Sequence, residues 1–226
     1  MAAALLAVVL ALAVAPEAAI QGQSQRLMYV HVPSAWTAFL CFGVLVLCSV
    51  AQLLQRPGPW PRVARAAAEV GVATTALTIA EGSLWGHIAW GVWWAWDPRL
   101  VSTALMLVSS IAYLALRALP GDAARVERRA AFAGLVFAIE VPVVHFSVLW
   151  WRTLHQPPTL LRPSLSAPPI APLMLVTLLV AVLASTLAAA WYVVRRTEQL
   201  APPPLPVPRR AATLEVAATR AEEGAR

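Results

Sequence analysis

The stretch IAPLMLVTLLVAVLASTLAAAWYVV, residues 170–194, carries no charged side chain over its whole length. An α-helix needs about 20 predominantly apolar residues to cross the hydrocarbon core of a bilayer. A helix is also one of the few structures that satisfy every backbone hydrogen bond there. The stretch therefore predicts a membrane-spanning helix and decides the fold class.

Five further apolar runs precede it, at about residues 2–20, 34–54, 66–84, 100–119 and 130–150. The 226-residue chain is 60% hydrophobic and 12% charged, whereas a soluble domain is about a quarter charged. We predict an all-α polytopic membrane protein with six transmembrane helices in residues 1–194. Residues 195–226, Pro-rich and then charged, are predicted to form a flexible cytoplasmic tail. The first run also has features of a cleaved signal peptide, although no basic segment precedes it.

The 17 basic residues are all arginines, and they are distributed unevenly between the connections of the predicted helices. Thirteen lie in one set of connections and the C-terminal tail, and four lie in the other set. Because cytoplasmic segments carry the excess of Arg, both termini are expected in the cytoplasm. The same rule accounts for the net charge of +6 without a nucleic-acid partner. The outer segments are then about residues 21–33, 85–99 and 151–169.

The outer segments and the adjoining helix ends contain all four histidines and seven of the ten tryptophans. The densest part is WGHIAWGVWWAWDPRL, residues 85–100. A plain interfacial belt remains one interpretation, because Trp gathers at membrane surfaces. The other is a stacking platform for a planar apolar ligand, since indole rings offer large rigid faces. Porphyrin has that shape, so we predict a haem platform built from Trp85, Trp90, Trp93, Trp94 and Trp96.

Haem iron takes axial ligands, and imidazole is the usual one in proteins. His31 and His145 are the predicted pair, because each lies at the outer mouth of a different predicted helix. Arg99 and Arg152 stand beside Trp-rich stretches and are predicted to hold the two propionates by bidentate contacts. Asp97 is expected to pair with Arg99 or to orient a ring.

The remaining histidines receive less specific interpretations. His87 is expected to be solvated in a loop, and His155 to make a local hydrogen bond. A zinc or copper site is a further possibility for four histidines, but no HxH or HxxxH spacing is present. Cys41 and Cys48 are interpreted as small packing residues. The chain has neither a phosphate-binding GxxxxGK[ST] motif nor an evident nucleophile–base pair, so we do not predict an enzyme.

The segment WGVWWAWDPRL resembles the tryptophan-rich WWD signature of haem-handling proteins in cytochrome c maturation. Among these proteins, the chain is most similar to the haem exporter protein C family, CcmC. MYVHVPSAW resembles the first histidine motif of that family, and VPVVHFSVLWWRTLHQP resembles the second. The resemblance assigns the two axial ligands to His31 and His145. It covers roughly residues 25–194, with the three motifs in the expected order.

The resemblance implies that the chain binds haem b transiently at the periplasmic face of the bacterial inner membrane. It implies presentation of that haem to the haem chaperone CcmE during c-type cytochrome biogenesis. The expected partners are the ABC transporter subunits CcmA and CcmB and the small membrane protein CcmD, within the lipid bilayer. The alternative is a membrane b-type cytochrome that carries electrons, although such proteins usually bury both axial histidines within spanning helices. A structural subunit without a cofactor is a third interpretation.

Overall fold

The computed structural model describes residues 2–18, 21–156 and 170–202, and the elements in these ranges are helical. The helices are α1 (Ala2–Val9), α2 (Met28–Leu53), α3 (Trp60–Trp90), α4 (Pro98–Ala118), α5 (Ala123–Gly134), α6 (Phe137–Trp150) and α7 (Pro172–Gln199). A π-helix (Leu10–Val14) follows α1, and a 3-10 helix (Gln23–Leu27) precedes α2. Five helical stretches among the described residues are long and apolar enough to cross a membrane.

The five candidate spans are Gln23–Leu53, Trp60–Trp90, Pro98–Ala118, Ala123–Trp150 and Pro172–Gln199. The first predicted span instead forms the short apolar helical stretch Ala2–Val14. Thirteen residues of α-helix rise about 20 Å, against a hydrocarbon core of about 30 Å. The prediction of a polytopic all-helical protein is met, while this first stretch is shorter than the predicted span. Arg26 donates hydrogen bonds to the Ala11 and Ala15 carbonyls, which caps the end of this stretch.

The main core lies between α2, α3, α4 and the α5–α6 stretch. Phe42 of α2 stacks on Phe137 of α6 with ring centroids 4.5 Å apart and planes 8° from parallel. The Phe42 ring lies against Gly71 of α3, where an added Cβ would stand 2.4 Å from a ring carbon. A glycine is therefore required for α2 and α3 to approach this closely.

Two predicted helix boundaries are wrong in ways that affect the outer face. Helix α2 begins at Met28 rather than near residue 34, so His31 is within the helix and not before it. Helix α3 continues to Trp90, six residues past its predicted end, so His87 is in its last turn and not in a loop. Gly91 ends α3 with φ +76°, and its N–H donates to the His87 carbonyl at 3.0 Å. The left-handed backbone that terminates the helix is accessible to glycine at little cost.

The other end of the bundle carries most of the arginines, and its helix ends also differ from the prediction. Helix α7 continues to Gln199, so residues 195–199 are helical rather than part of a flexible tail. Arg196 of α7 donates to Glu69 of α3, with Nε 2.7 Å from Oε2. The rest of the predicted tail from residue 203 lies outside the described residues. We call this end the arginine end, and the end that carries residues 85–100 and 150–156 the tryptophan end.

Candidate functional site

A cavity of about 260 Å³ opens at the tryptophan end of the bundle. Helices α2, α3, α4 and α6 and the segment 154–156 contribute its walls. The lining includes three of the four histidines, His31, His145 and His155. The exposed residues Ala89 and Gln156 also line it, so the cavity reaches the surface. Helix packing therefore gathers side chains from distant parts of the chain around one space.

His31 projects into this cavity from the first turns of α2. Its ring meets the Trp85 ring edge to face, with centroids 5.8 Å apart. The ring also lies against Gly82 of α3, where an added Cβ would stand 2.9 Å from Cε1. The Thr78 carbonyl is close to the ring, yet Nδ1 is buried without a hydrogen bond of normal geometry to the described residues. His31 is thus held by its packing against Trp85 and Gly82, with the Thr78 carbonyl beside the ring.

His155 reaches the same cavity from the segment that follows α6. Its ring centroid is 6.3 Å from that of His31, and the two planes are tilted by 31°. His155 Nδ1 is 2.8 Å from the Gln156 carbonyl, a geometry in which Nδ1–H donates. This tautomer leaves the Nε2 lone pair available to a metal. Burial, followed by the nearby positive charge of Arg99, lowers the pKa of His155 to about 4, so the imidazole is neutral at neutral pH.

His145 lines the cavity from α6, but aromatic rings surround it. The Phe39 ring meets it edge to face at 6.1 Å between centroids, and the Phe146 ring does so at 4.8 Å. The structure therefore brings His145 to the predicted site. The imidazole that lies within ring contact of His31 is nevertheless His155.

Arg99 is the cation of the cavity. It stands in the first turn of α4 and lines the cavity beside the histidines. Its Nη1 is buried and has no hydrogen-bond partner among the described residues. An unpaired guanidinium nitrogen at the wall of a cavity favours an anionic ligand group there.

Asp97, 5% exposed, does not line this cavity. Its Oδ1 accepts from the Arg99 backbone N–H at 2.9 Å, which caps α4, and its Oδ2 accepts from the Leu154 N–H at 2.7 Å. Burial by itself raises the pKa of Asp97, but hydrogen bonds from Thr153, Leu154, Arg99 and Leu100 outweigh burial and lower it. The carboxylate thus pairs with the Arg99 backbone, and it joins the α4 start to the segment that carries His155.

The predicted tryptophan platform divides into two groups. Trp85, Trp90 and Trp94 line the cavity. Trp93 and Trp96 project outward, 58% and 86% exposed. Trp93 stacks on the exposed His87, with ring centroids 4.1 Å apart and planes 6° from parallel. The Gly91 turn redirects the chain after Trp90, and of the three tryptophans that follow it only Trp94 lines the cavity.

Arg152 is exposed and lies outside the cavity. It borders a separate shallow depression that it shares with Trp96 and Asp97. The two arginines predicted to act together are thus in different environments. Among the described residues, no group of three or more His, Cys, Asp or Glu side chains is close enough to hold a metal ion.

Sequence reasoning missed several residues that form the cavity. His155 is predicted to cap or to make a local hydrogen bond, which it does make, and the sequence leaves open whether it substitutes as a ligand; Gly82 carries no recognisable signal. The sequence signal for His155 is the motif WWRTLHQP, in which this second histidine follows the Trp150–Trp151 pair while His145 precedes it. Other unpredicted lining residues are Trp36, Phe39, Thr78 and Met106.

Comparisons with known proteins agree with this architecture. The family model described as Heme exporter protein C matches residues 1–202. Heme exporter protein C of Bradyrhizobium diazoefficiens is 40% identical over 150 residues, which are 66% of this chain and 57% of that protein. A putative cytochrome c biosynthesis ccmC-like mitochondrial protein of Marchantia polymorpha is 34% identical over 152 residues, 67% of this chain and 64% of that protein.

Heme exporter protein C of Haemophilus influenzae is 33% identical over 171 residues, which are 74% of this chain and 70% of that protein. The chain spans less than two thirds of the length of the Bradyrhizobium and Marchantia relatives. The family model nevertheless covers most of the 226 residues. The chain therefore belongs to the Heme exporter protein C family.

Proposed function

We propose that the chain binds haem b transiently in the cavity at the tryptophan end and presents it to the haem chaperone CcmE during c-type cytochrome maturation. The observation that carries this proposal is the 6.3 Å separation of the His31 and His155 rings, which both line the cavity beside Arg99. The names of the relatives, which refer to heme export and cytochrome c biosynthesis, support the same conclusion.

The ring separation suits one iron between two imidazoles. A metal–imidazole nitrogen bond is about 2.0 Å, and a ring centroid lies about 1 Å beyond the nitrogen, so two trans imidazoles have centroids about 6 Å apart. The His31 and His155 rings already stand at 6.3 Å. We therefore propose His31 and His155 as the axial pair, in place of the predicted pair His31 and His145. His145 then contributes to the cavity wall beside Phe39 and Phe146.

The rest of the cavity suits the other parts of a haem. Trp85, Trp90 and Trp94 offer apolar faces to the macrocycle. The buried Nη1 of Arg99 is available to a propionate carboxylate, for which guanidinium geometry is well matched. Arg152, outside the cavity, is not proposed as a second propionate ligand.

The size of the cavity bears on how the haem is held. Its volume of about 260 Å³ is below the roughly 300–1,000 Å³ of pockets that enclose most of a small ligand. Part of a macrocycle held by His31 and His155 would therefore remain outside the cavity. A partly exposed haem is suited to transfer to a chaperone.

The distribution of arginines supports an orientation with the arginine end in the cytoplasm and the tryptophan end in the periplasm. The end of α7 is then cytoplasmic, whereas the cytoplasmic N-terminus predicted from the sequence requires the short stretch Ala2–Val14 to cross the membrane as a sixth span. We propose the bacterial inner membrane as the location, and CcmA, CcmB and CcmD as membrane partners. Since the sequence contains no phosphate-binding loop, ATP hydrolysis belongs to a partner, and the chain is not proposed to be an enzyme.

The decisive experiment is purification of the chain with and without co-expressed CcmE, followed by absorption spectroscopy. We expect a low-spin haem spectrum and transfer of that haem to CcmE on incubation. His31 lies inside α2, and b-type cytochromes usually carry their axial histidines within spanning helices. The experiment therefore includes a quinol, which tests the electron-carrier alternative. Rapid reduction of the haem by the quinol without transfer to CcmE would favour an electron carrier. A purified chain without haem under both conditions would refute haem binding.

Gly82 provides a structural test of the same site. In Gly82→Ala, the new Cβ stands 2.9 Å from His31 Cε1 and must displace the ring. We expect haem binding about tenfold weaker, as for loss of a group that orients a metal ligand. Titration of the purified variant with hemin, followed by the Soret band, measures this affinity. Gly43→Ala is the matched control, because no atom lies within 4 Å of a Cβ at that helical position. Equal affinities of the two variants would contradict the proposed role of His31.

A further inference from the structure

The segment that carries His155 has little regular structure of its own. Helix α6 ends at Trp150, and residues 151–156 form turns and bends. Trp151 N–H donates to the Ser147 carbonyl at 3.0 Å, which closes the helix. Beyond Trp151, residues 152–156 make no backbone–backbone hydrogen bond to the described parts of the chain. Side chains must therefore determine where His155 stands.

Asp97 provides the longest-range polar contacts of this segment. Its Oδ2 accepts from the Leu154 N–H at 2.7 Å, across 57 residues of sequence. The Thr153 side chain also lies close enough to the carboxylate to help lower the pKa of Asp97, and Thr153 Oγ1 accepts from the His155 N–H at 3.1 Å. Two consecutive residues before His155 are thus connected to one buried carboxylate.

The same carboxylate is fixed to α4 at its other oxygen. Oδ1 accepts from the Arg99 backbone N–H at 2.9 Å, so Asp97 is the cap of α4. The buried carboxylate therefore joins a rigid helix that carries one cavity residue, Arg99, to a loop that carries another, His155. Charge-assisted hydrogen bonds of this kind are about twice as strong as neutral ones.

We propose that Asp97 is a positioning residue, which holds the 153–155 segment against the start of α4 and so sets the separation of His155 from His31. This inference rests on the proposed function, in which His155 is an axial ligand. Asp97 itself does not line the cavity and has no contact with haem in this proposal. Its effect on haem is exerted through the backbone of Leu154 and the hydroxyl of Thr153.

The test separates the helix cap from the connection to the loop. Asp97→Ser keeps one oxygen that can cap α4, since serine is a good cap residue, but it removes the second acceptor. Asp122→Ser is the matched control, because Asp122 caps α5 through the Arg125 N–H at 3.0 Å and is exposed at the arginine end. Both variants alter a cap in the same way, and only one affects the loop.

The first measurement needs no haem. Spin labels at Gln156→Cys and Val108→Cys, both exposed positions, report the distance between the loop and α4 by pulsed electron resonance. Cys41 and Cys48 are replaced by alanine to remove other labelling sites. We expect a narrow distance distribution in the parent chain and in Asp122→Ser, and a clearly broader or shifted one in Asp97→Ser. An unchanged distribution in Asp97→Ser would overturn the proposal.

The second measurement is the haem spectrum of the same variants without labels. We expect Asp97→Ser to bind hemin at least about tenfold more weakly, with conversion from low-spin to high-spin haem, as in His155→Ala. Asp122→Ser should bind as the parent chain does. A broadened distance with an unchanged spectrum would overturn the positioning role. Absence of low-spin haem from the parent chain would instead contradict the proposed function, and the distance measurement would still test the connection between Asp97 and the loop.

Discussion

Replacing His31 or His155 by alanine is expected to abolish the low-spin haem spectrum of the purified chain. Each change removes one of two imidazoles that line the cavity with ring centroids 6.3 Å apart. Loss of a ligand should weaken hemin binding by at least about 100-fold, the upper end of what loss of a supporting group costs at a metal site. Soret titration gives the affinity, and electron resonance of the ferric form gives the spin state.

His145→Ala distinguishes the structure-based pair from the sequence-based pair. His145 lines the cavity but contacts Phe39 and Phe146, so its replacement should weaken binding less than tenfold and leave the haem low-spin. His87→Ala is the outer-face control, because His87 is exposed and stacks on Trp93 outside the cavity. A high-spin spectrum in His145→Ala together with a normal spectrum in His155→Ala would restore the sequence-based pair.

Replacing Arg99 by glutamine is expected to weaken hemin binding by about 10- to 100-fold, the effect of losing a charge-assisted hydrogen bond to a buried group. Arg99 lines the cavity, and its buried Nη1 has no hydrogen-bond partner among the described residues. The axial imidazoles remain in this variant, so the bound haem should stay low-spin. The same titration measures the affinity. A porphyrin whose propionates are esterified should bind the parent chain and Arg99→Gln with nearly the same affinity.

Arg152→Gln is the matched control for this prediction. Arg152 also lies at the tryptophan end, but it is exposed and outside the cavity. The sequence assigned equal roles to the two arginines, whereas the structure favours Arg99 alone. Equal losses of affinity in the two variants would support the sequence-based assignment. An unchanged hemin affinity in Arg99→Gln would contradict the proposed contact between Arg99 and a propionate.

Much of the architecture could be predicted from the sequence because the bilayer imposes a simple requirement. Long apolar runs must become helices, and each of the five candidate spans among the described residues overlaps a predicted run. The helix ends were less predictable. Proline stands at position 33 within α2, and the turn after α3 depends on the positive φ of Gly91. Helix ends that depend on local chemistry of this kind can be predicted from a sequence only to within a few residues.

Hydropathy and residue distribution are enough to identify this chain as helical, apolar and rich in imidazole and indole at the tryptophan end. They also place His31, His145 and Arg99 near one another, because helix mouths at the same end of a bundle are neighbours. Which rings contact one another depends on how the helices and the 153–155 segment pack. That outcome depends on the close contact of α2 with Gly82, the rotation of α6 and the attachment of the 153–155 segment to Asp97. Residues 145 and 155 are ten apart in the sequence, and this spacing does not show which of the two rings contacts His31. Helix rotation and loop closure determine that it is His155.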